Sequence, residues 1–402
     1  MPHQRKRYLQ AALRSLLAYS PVIGVLGHRQ VGKTTLIEQE AGRYVTFDKT
    51  SSLSRADLDP EAFITSGASH PPFVIDEAQL CPSIFSAIKE HVRINGKPGQ
   101  FILSGSVRFT SRKAIRESLT GRIINLELFP FSHSEASQRP VQPLPYQLLK
   151  ADFHQLKFPC PTQDLKRETL ALLRYGELGG LPRVCLTREA HHRSQLIETQ
   201  LETILDRDLK LLLATKLSYQ TLRSVLAFLA KTQGEPLNLA ETARKTRISL
   251  PTLRGLLNIF EQIFLIRRII SLGDEKRPVI FLEDQGEASH LTPEGYDPHS
   301  NWLRILYANL RIPYALKPEL QCTFFQYRTR GGAYVPLAVR SGKSIIGFLI
   351  SLEANPQRSI LMSAASFGKR FPGARVAILH PYERRNILSP SLIEMPFADL
   401  LY

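Results

Sequence analysis

PVIGVLGHRQVGKTT, residues 21–35, is the stretch that decides the fold. It contains Gly27-x-x-x-x-Gly32-Lys33-Thr34, the pattern of a phosphate-binding loop. The apolar run Val22, Ile23, Val25 and Leu26 predicts a strand before it, and Leu36 to Glu40 predict a helix after it. Strand, loop and helix in that order are the context the pattern requires. Gly27 and Gly32 let the backbone turn with positive φ and approach a ligand closely. The successive amides of Gly27, His28, Arg29, Gln30, Val31, Gly32, Lys33, Thr34 and Thr35 then lie at a helix N-terminus, where they can cradle phosphate oxygens. Lys33 is expected to reach the β- and γ-phosphates, and the Thr34 hydroxyl to ligate Mg²⁺. Arg29, inside the loop, is a further candidate for γ-phosphate contact.

Outward from the loop, strand-like runs recur at residues 43–48, 72–76, 101–104 and 123–128, with helical stretches between them. Alternating strands and helices imply an α/β fold with a parallel sheet covered on both faces. Ligands bind at the carboxyl ends of such strands. The third strand ends in PPFVIDEAQ. Asp76 is placed to hold Mg²⁺ as the acidic partner of Thr34, and Glu77 to polarise an attacking water as general base. An acidic pair that only caps the next helix is the alternative. The fourth strand ends in FILSGS, so Ser104 or Ser106 can contact a γ-phosphate or the water, or simply form a turn. ESLTGR places Arg122 just before the fifth strand. An arginine there can stabilise charge developing in phosphoryl transfer, within the subunit or across an interface, or be a surface residue. Arg7 and Tyr8, before the first strand, are the only candidates offered for the base pocket.

GHRQVGKTT, FVIDEAQ, FILSGS, ESLTGR and FPFSHSE, in this order and spacing, resemble a large group of bacterial and archaeal predicted ATPases. These are P-loop proteins of the AAA superfamily with a C-terminal region of unknown function. The resemblance implies a sheet of strand order 5-1-4-3-2 and binding of ATP rather than GTP. It assigns the family roles to Lys33, Thr34, Asp76 and Glu77, and places the family's Gly-Arg arginine on Arg122.

The whole chain sets wider bounds. Its 402 residues suffice for two or three domains. It carries 52 Lys and Arg against 36 Asp and Glu, a surplus of +16 that favours a polyanionic partner or merely gives a basic surface. Cys81, Cys160, Cys185 and Cys322 are far apart, which suggests a reducing compartment and argues against a zinc cluster. Leu9, Ala12, Leu13, Leu16 and Leu17 fit one face of an amphipathic helix better than a signal peptide. With no run of ~18 apolar residues, a cytoplasmic protein is expected.

The reading divides the chain at residues 1–135 (ATPase), 136–218 (linker and helical lid), 219–272 (helix-turn-helix or winged-helix module) and 273–402 (α+β). Residues 136–165, rich in Pro and Gln, read as linker. ELGGLPRV resembles the family's Gly-Gly-x-Pro turn, and Arg207-Asp208 a family arginine–aspartate pair, either an ion pair between helices or a nucleotide sensor. LNLAETARKTRISLPTLRGLLNIFEQ has helix-turn-helix phrasing, with Ser249 or Thr252 near a helix start and Pro251 in its first turn. Arg244, Lys245, Arg247 and Arg254 are candidate contacts for double-stranded DNA, and Arg267-Arg268 follow. The alternative is a module used for packing or subunit contact.

In the family the last region resembles a restriction-endonuclease-like fold with a Glu-Val-Asp and a Glu-x-Lys segment. Here those segments read Tyr334-Val335-Pro336 and Ile350-Ser351-Leu352-Glu353, without the acidic pair and the lysine. Asp274-Glu275-Lys276 comes too early to replace them. Nuclease activity is therefore not expected. Three functions follow from the sequence: a Mg²⁺-dependent ATPase that drives domain rearrangement, a nucleotide-gated binding module with little hydrolysis, and a protein-binding scaffold. Glu77 favours the first over the second.

Overall fold

The structure, a computed structural model, describes residues 5–109, 121–213, 215, 217–273 and 277–402. Asp274-Glu275-Lys276 and most of the ESLTGR segment lie outside the described residues; Arg122 lies inside them.

Five strands form the first sheet: β1 (Val22–Leu26), β2 (Arg43–Thr46), β3 (Phe73–Asp76), β4 (Phe101–Gly105) and β5 (Ile123–Glu127). Their order is β2-β3-β4-β1-β5 and every pairing is parallel. This is the P-loop NTPase sheet, the order 5-1-4-3-2 read from the other edge. All of β1 is buried, and its side chains alternate between two cores. Val22 and Leu26 pack with Ile84, Phe85 and Ile88 of the helix Ile84–Ile94. Ile23 and Val25 pack with Leu9 and Leu13 of the helix Leu9–Leu17 and with Leu36 and Ile37 behind the loop. Period-two strand geometry sends successive side chains to opposite faces, so a strand covered on both sides must be apolar throughout. The N-terminal leucines are thus one helix face covering the sheet.

The second sheet has eight strands. They are β6 (Ile266–Gly273), β7 (Pro278–Leu282), β8 (Thr323–Arg328), β9 (Tyr334–Ser341), β10 (Ser344–Ile350), β11 (Arg375–His380), β12 (Asn386–Ser389) and β13 (Leu392–Pro396). Their order is β12-β13-β11-β10-β9-β8-β6-β7, parallel at β13/β11, β11/β10 and β8/β6 and antiparallel elsewhere. The segments expected to correspond to the nuclease motifs fall on the antiparallel neighbours β9 and β10. Glu353 is exposed just beyond β10, and among the described residues no cluster of three His, Cys, Asp or Glu side chains is arranged to hold a metal ion.

Three helices precede this sheet: Tyr219–Lys231, Leu239–Lys245 and Leu250–Gln262. Each begins at a side-chain cap, Ser218, Asn238 and Ser249 respectively, which satisfies an otherwise orphaned amide. The hairpin β6–β7 follows them, as a wing would, but β6 also pairs with β8. Its faces serve two cores. Ile266, Ile280 and Leu282 pack with the three helices, and Ile269, Val279 and Phe281 with the large sheet. A boundary at residues 272/273 therefore falls inside one hairpin.

Residues 136–165 also differ from a linker. Leu144, Leu148, Leu149, Phe153, Leu156 and Cys160 are buried in the core of the large sheet. Leu144 and Leu148 lie one helical turn apart on the helix Leu144–Lys150, which closes over that core despite the flanking prolines. Among the described residues, no helix is long and apolar enough to cross a membrane.

Candidate nucleotide-binding site

β1, β3 and β4 end at one level, because Val25 is in register with Ser104 and Ile75 with Leu103. The phosphate loop leaves β1 at that edge. Gly32 has φ +96°, a conformation that glycine adopts without steric cost. The helix Lys33–Glu38 begins there. Lys33 is buried, and its Nζ donates to the carbonyls of Gly27 at 3.1 Å and His28 at 3.0 Å. Burial pulls its pKa below the ordinary value, partly offset by Glu77 and Asp76. A buried ammonium held, among the described residues, by backbone oxygens alone is suited to an incoming anion. Thr34 and Thr35 are open to solvent beside it.

The acidic pair lies opposite. Asp76 Oδ2 accepts from the Thr34 hydroxyl at 2.6 Å and the Tyr44 hydroxyl at 3.0 Å. Its Oδ1 accepts from the Ser104 hydroxyl and, at 3.1 Å, from the Glu77 amide. A hydroxyl and a carboxylate in contact, both offering oxygen, fit a hard cation such as Mg²⁺. Glu77 stands at φ +54°, in the left-handed region that costs a non-glycine residue of order 1–3 kcal/mol. Its Oε2 accepts from Ser106 Oγ at 3.1 Å and Gln79 Nε2 at 2.5 Å. Each serine at the end of β4 thus holds one member of the acidic pair. Tyr44 and Gln79 were not anticipated. Tyr44 comes from the neighbouring strand β2, where sequence spacing carries no signal of the contact; Gln79 stands within the quoted DEAQ run.

His28 and Arg29 turn away from the first sheet toward the C-terminal part. His28 is fully buried, with Nε2 3.2 Å from Glu287 Oε2. The pair makes a charge contact without hydrogen-bond alignment. Burial opposes the imidazolium, but Glu287 and Glu283 outweigh it and hold the pKa above its ordinary value. Gln200 Nε2 donates to Glu287 at 2.9 Å and to the Arg29 carbonyl at 3.3 Å. Arg29 itself donates to both oxygens of Asp208 at 3.1 Å. The expected Arg207–Asp208 pair is therefore split. Arg207 reaches Asp48 across the surface at 3.2 Å with both side chains about half exposed, an interaction worth only ~0–1 kcal/mol.

Behind the loop, Arg7 donates to the Val31 carbonyl at 2.7 Å and pairs with Glu135 at 3.0 Å, while Tyr8 donates to the Arg139 carbonyl at 2.7 Å. These contacts fasten the loop's rear wall and occupy both residues proposed for the base. Gln30 stands at φ +59° in the loop. The Gly-Gly-Leu-Pro turn is held by Asp284, which accepts from the amides of Gly180 at 2.7 Å and Leu181 at 3.2 Å. Gly179 has φ +71°, and a Cβ there would lie 2.2 Å from Asp284 Oδ1. Asp284 also caps the helix Gln285–Leu291 that carries Glu287.

Arg122 is not brought to this site. Val22 pairs with Ile123, so Arg122 precedes β5 at the opposite end of the sheet. Five residues of strand, roughly 17 Å, separate the two ends. A role within the same subunit does not fit that distance. Of the basic residues of the three-helix module, Arg244, Arg247 and Arg254 are exposed, and Lys245 pairs with Glu241 at 2.7 Å. Arg267 is not a surface cation. It lies in a network with Glu127, Glu283 and Arg311. Arg268 pairs with Glu261.

Residues 19–137 match the family model of an AAA domain, and residues 169–293 match that of a domain of unknown function, DUF8612. Residues 19–137 thus match an AAA domain and carry the P-loop NTPase sheet order and loop geometry. Two uncharacterized proteins, one of Mycobacterium bovis and one of Mycobacterium tuberculosis, are each 25% identical over 414 residues, covering 98% of this chain and 84% of theirs. Among solved structures, a Walker-type ATPase of Pyrococcus abyssi is 15% identical with a TM-score of 0.39, covering 72% of this chain and 96% of its own. A signal-transduction ATPase with a tetratricopeptide repeat sensor from Pyrococcus horikoshii is 13% identical with a TM-score of 0.27, covering 78% of this chain and 46% of its own.

Proposed function

We propose that the chain binds ATP with Mg²⁺ and hydrolyses the β–γ bond, and that the nucleotide cycle repositions the C-terminal part. The observation that carries this is the meeting of Lys33, the Thr34–Asp76 pair and Glu77 at one edge of the sheet. Lys33 exchanges its loop carbonyls for phosphate oxygens. Thr34 and Asp76 hold Mg²⁺, which supplies charge neutralisation at the transferring phosphoryl group. Ser106 and Gln79 fix one oxygen of Glu77, and the other accepts the proton of the attacking water. Arg122 acts only from a second copy of the chain, where it stabilises the developing charge.

The pairing of His28 and Arg29 with Glu287 and Asp208 favours a second reading. In it the nucleotide is held and gates the C-terminal part with little turnover. Both readings require binding. Lys33→Ala is expected to weaken ATP binding at least ~30-fold, since a desolvated lysine–phosphate contact contributes ~2 kcal/mol or more. Isothermal titration calorimetry of wild type and variant tests it. Equal affinities would remove the site from both readings.

We also propose that Arg244, Arg247 and Arg254 contact duplex DNA, supported by their exposure on a capped helical module. Affinity should then fall with salt, and each Arg→Ala variant should lower the slope of log K against log salt by ~1. Fluorescence anisotropy over a salt series reads this. A flat dependence would point to a protein partner on that face.

A further inference from the structure

We propose that Asp208 makes Arg29 a sensor of the nucleotide's third phosphate, by competing with that phosphate for Arg29 and so restraining triphosphate binding until the pair opens. The inference rests on the nucleotide-binding reading above. Arg29 stands inside the phosphate loop, and its side chain is pulled back by both oxygens of Asp208. The Asp208 carboxylate is only 4% exposed, so the pair is poorly screened. Asp208 also belongs electrically to the reaction site. Its charge acts on Lys33, and Glu77 acts on it. Arg29 acts on Lys33 as well, so the two cations are neighbours.

Three carboxylates, Asp76, Glu77 and Asp208, thus surround two cations, Lys33 and Arg29. Mg²⁺ on Thr34 and Asp76 would offset part of this charge, but a third phosphate can take Arg29 only where the carboxylate already bonded to that guanidinium withdraws. Asp76 and Glu77 are each held by hydroxyl donors of the N-terminal domain. Among the described residues, Asp208 is hydrogen-bonded through its side chain to Arg29 alone. It is the member free to leave.

The backbone supplies a route. Asp208 ends the π-helical turn Ile204–Asp208, set between the α-helices Ala190–Thr203 and Leu209–Leu212. A π turn holds one residue more than the α-helix needs, and such turns are frequent at functional sites. Tightening it to α-helical geometry rotates the following residues by about 100° around the axis, which swings Asp208 off Arg29. A diphosphate, cradled by the loop amides and Lys33, leaves the Arg29–Asp208 pair closed. A triphosphate takes Arg29 and opens it. Asp208 is a positioning residue in this scheme, acting through Arg29.

The test is calorimetric binding of Mg²⁺-AMP-PNP and Mg²⁺-ADP to the full chain, for wild type, Asp208→Asn and Arg29→Gln. Asp208→Asn should tighten AMP-PNP by ~10-fold, the scale of one partly buried charge interaction, and change ADP affinity by less than about twofold. Arg29→Gln should weaken AMP-PNP and remove its difference from ADP. Amide hydrogen exchange across residues 204–213 should accelerate with AMP-PNP in wild type and not with ADP. Equal factors for the two nucleotides in Asp208→Asn, or an unchanged ratio in both variants, would overturn the inference while leaving the nucleotide site standing. Arg29→Gln probes the pair from the other side if Asp208→Asn folds poorly. Wild type that binds neither nucleotide would overturn the nucleotide reading and this inference together.

Discussion

Glu77→Gln is expected to lower ATP turnover by ~10²–10⁴, the usual contribution of a positioned general base, with ATP affinity nearly unchanged. The substitution keeps the size of the side chain and its neighbours Ser106 and Gln79. It removes the negative charge that draws the proton from water. Steady-state phosphate release, set against equilibrium binding of the same preparations, separates the two effects. Turnover that survives in Glu77→Gln would mean that another group activates the water. Wild type that binds ATP without turnover would favour the gated module, with Glu77 held in its left-handed conformation for a purpose other than hydrolysis.

The second large effect is expected away from the loop. Glu283 is completely buried between Arg267 and Arg311, and Arg267 also reaches Glu127 at the end of β5. Glu283→Gln leaves two guanidinium groups without a buried counter-charge. Breaking one side of such a pair typically destabilises by ~3–5 kcal/mol. Burial raises the pKa of Glu283, but Arg267 and Arg311 outweigh it and carry it from 4.5 down to about 2. A folded-state pKa below the unfolded one stabilises above the unfolded value and loses that contribution as pH falls through the folded one. Wild type should therefore lose stability between pH 4.5 and about 2, and Glu283→Gln should lose less over the same window. Urea unfolding at a series of pH values measures both. An acid limb of the same slope in the two proteins would remove Glu283 from this account.

The parts of the site that were legible in the sequence are those encoded locally. A glycine-bounded loop before Lys33-Thr34, and an acidic pair at the end of an apolar run, carry their chemistry in their spacing. Tyr44, Gln200, Asp208 and Glu287 lie on other elements and reach the site only through topology. Spacing along the chain cannot bring residues 29 and 208 together. Arg122 shows the same limit from the other side. Its neighbours in sequence suit a catalytic arginine, yet the register of β5 sets it at the wrong end of the sheet for its own loop. In residues 136–165 proline content suggested a linker, while Leu144 and Leu148, four apart, carried the weaker and truer signal of a buried helix face. Arg267 read as a surface cation because a charge on a strand gives no hint of a buried counter-charge sixteen residues later at Glu283.

The shared hairpin sets the mechanics of any motion. One face of β6–β7 is cemented into the three-helix module and the other into the eight-stranded sheet. Neither can swivel without shearing strands out of register, so the two behave as a single stiff arm. Leu181, Ile204, Leu205 and Leu209 pack in the core of the three-helix module, so the Gly-Gly-Leu-Pro turn and the π turn are rooted in the arm itself, and a change at the Arg29–Asp208 pair meets the arm at that root.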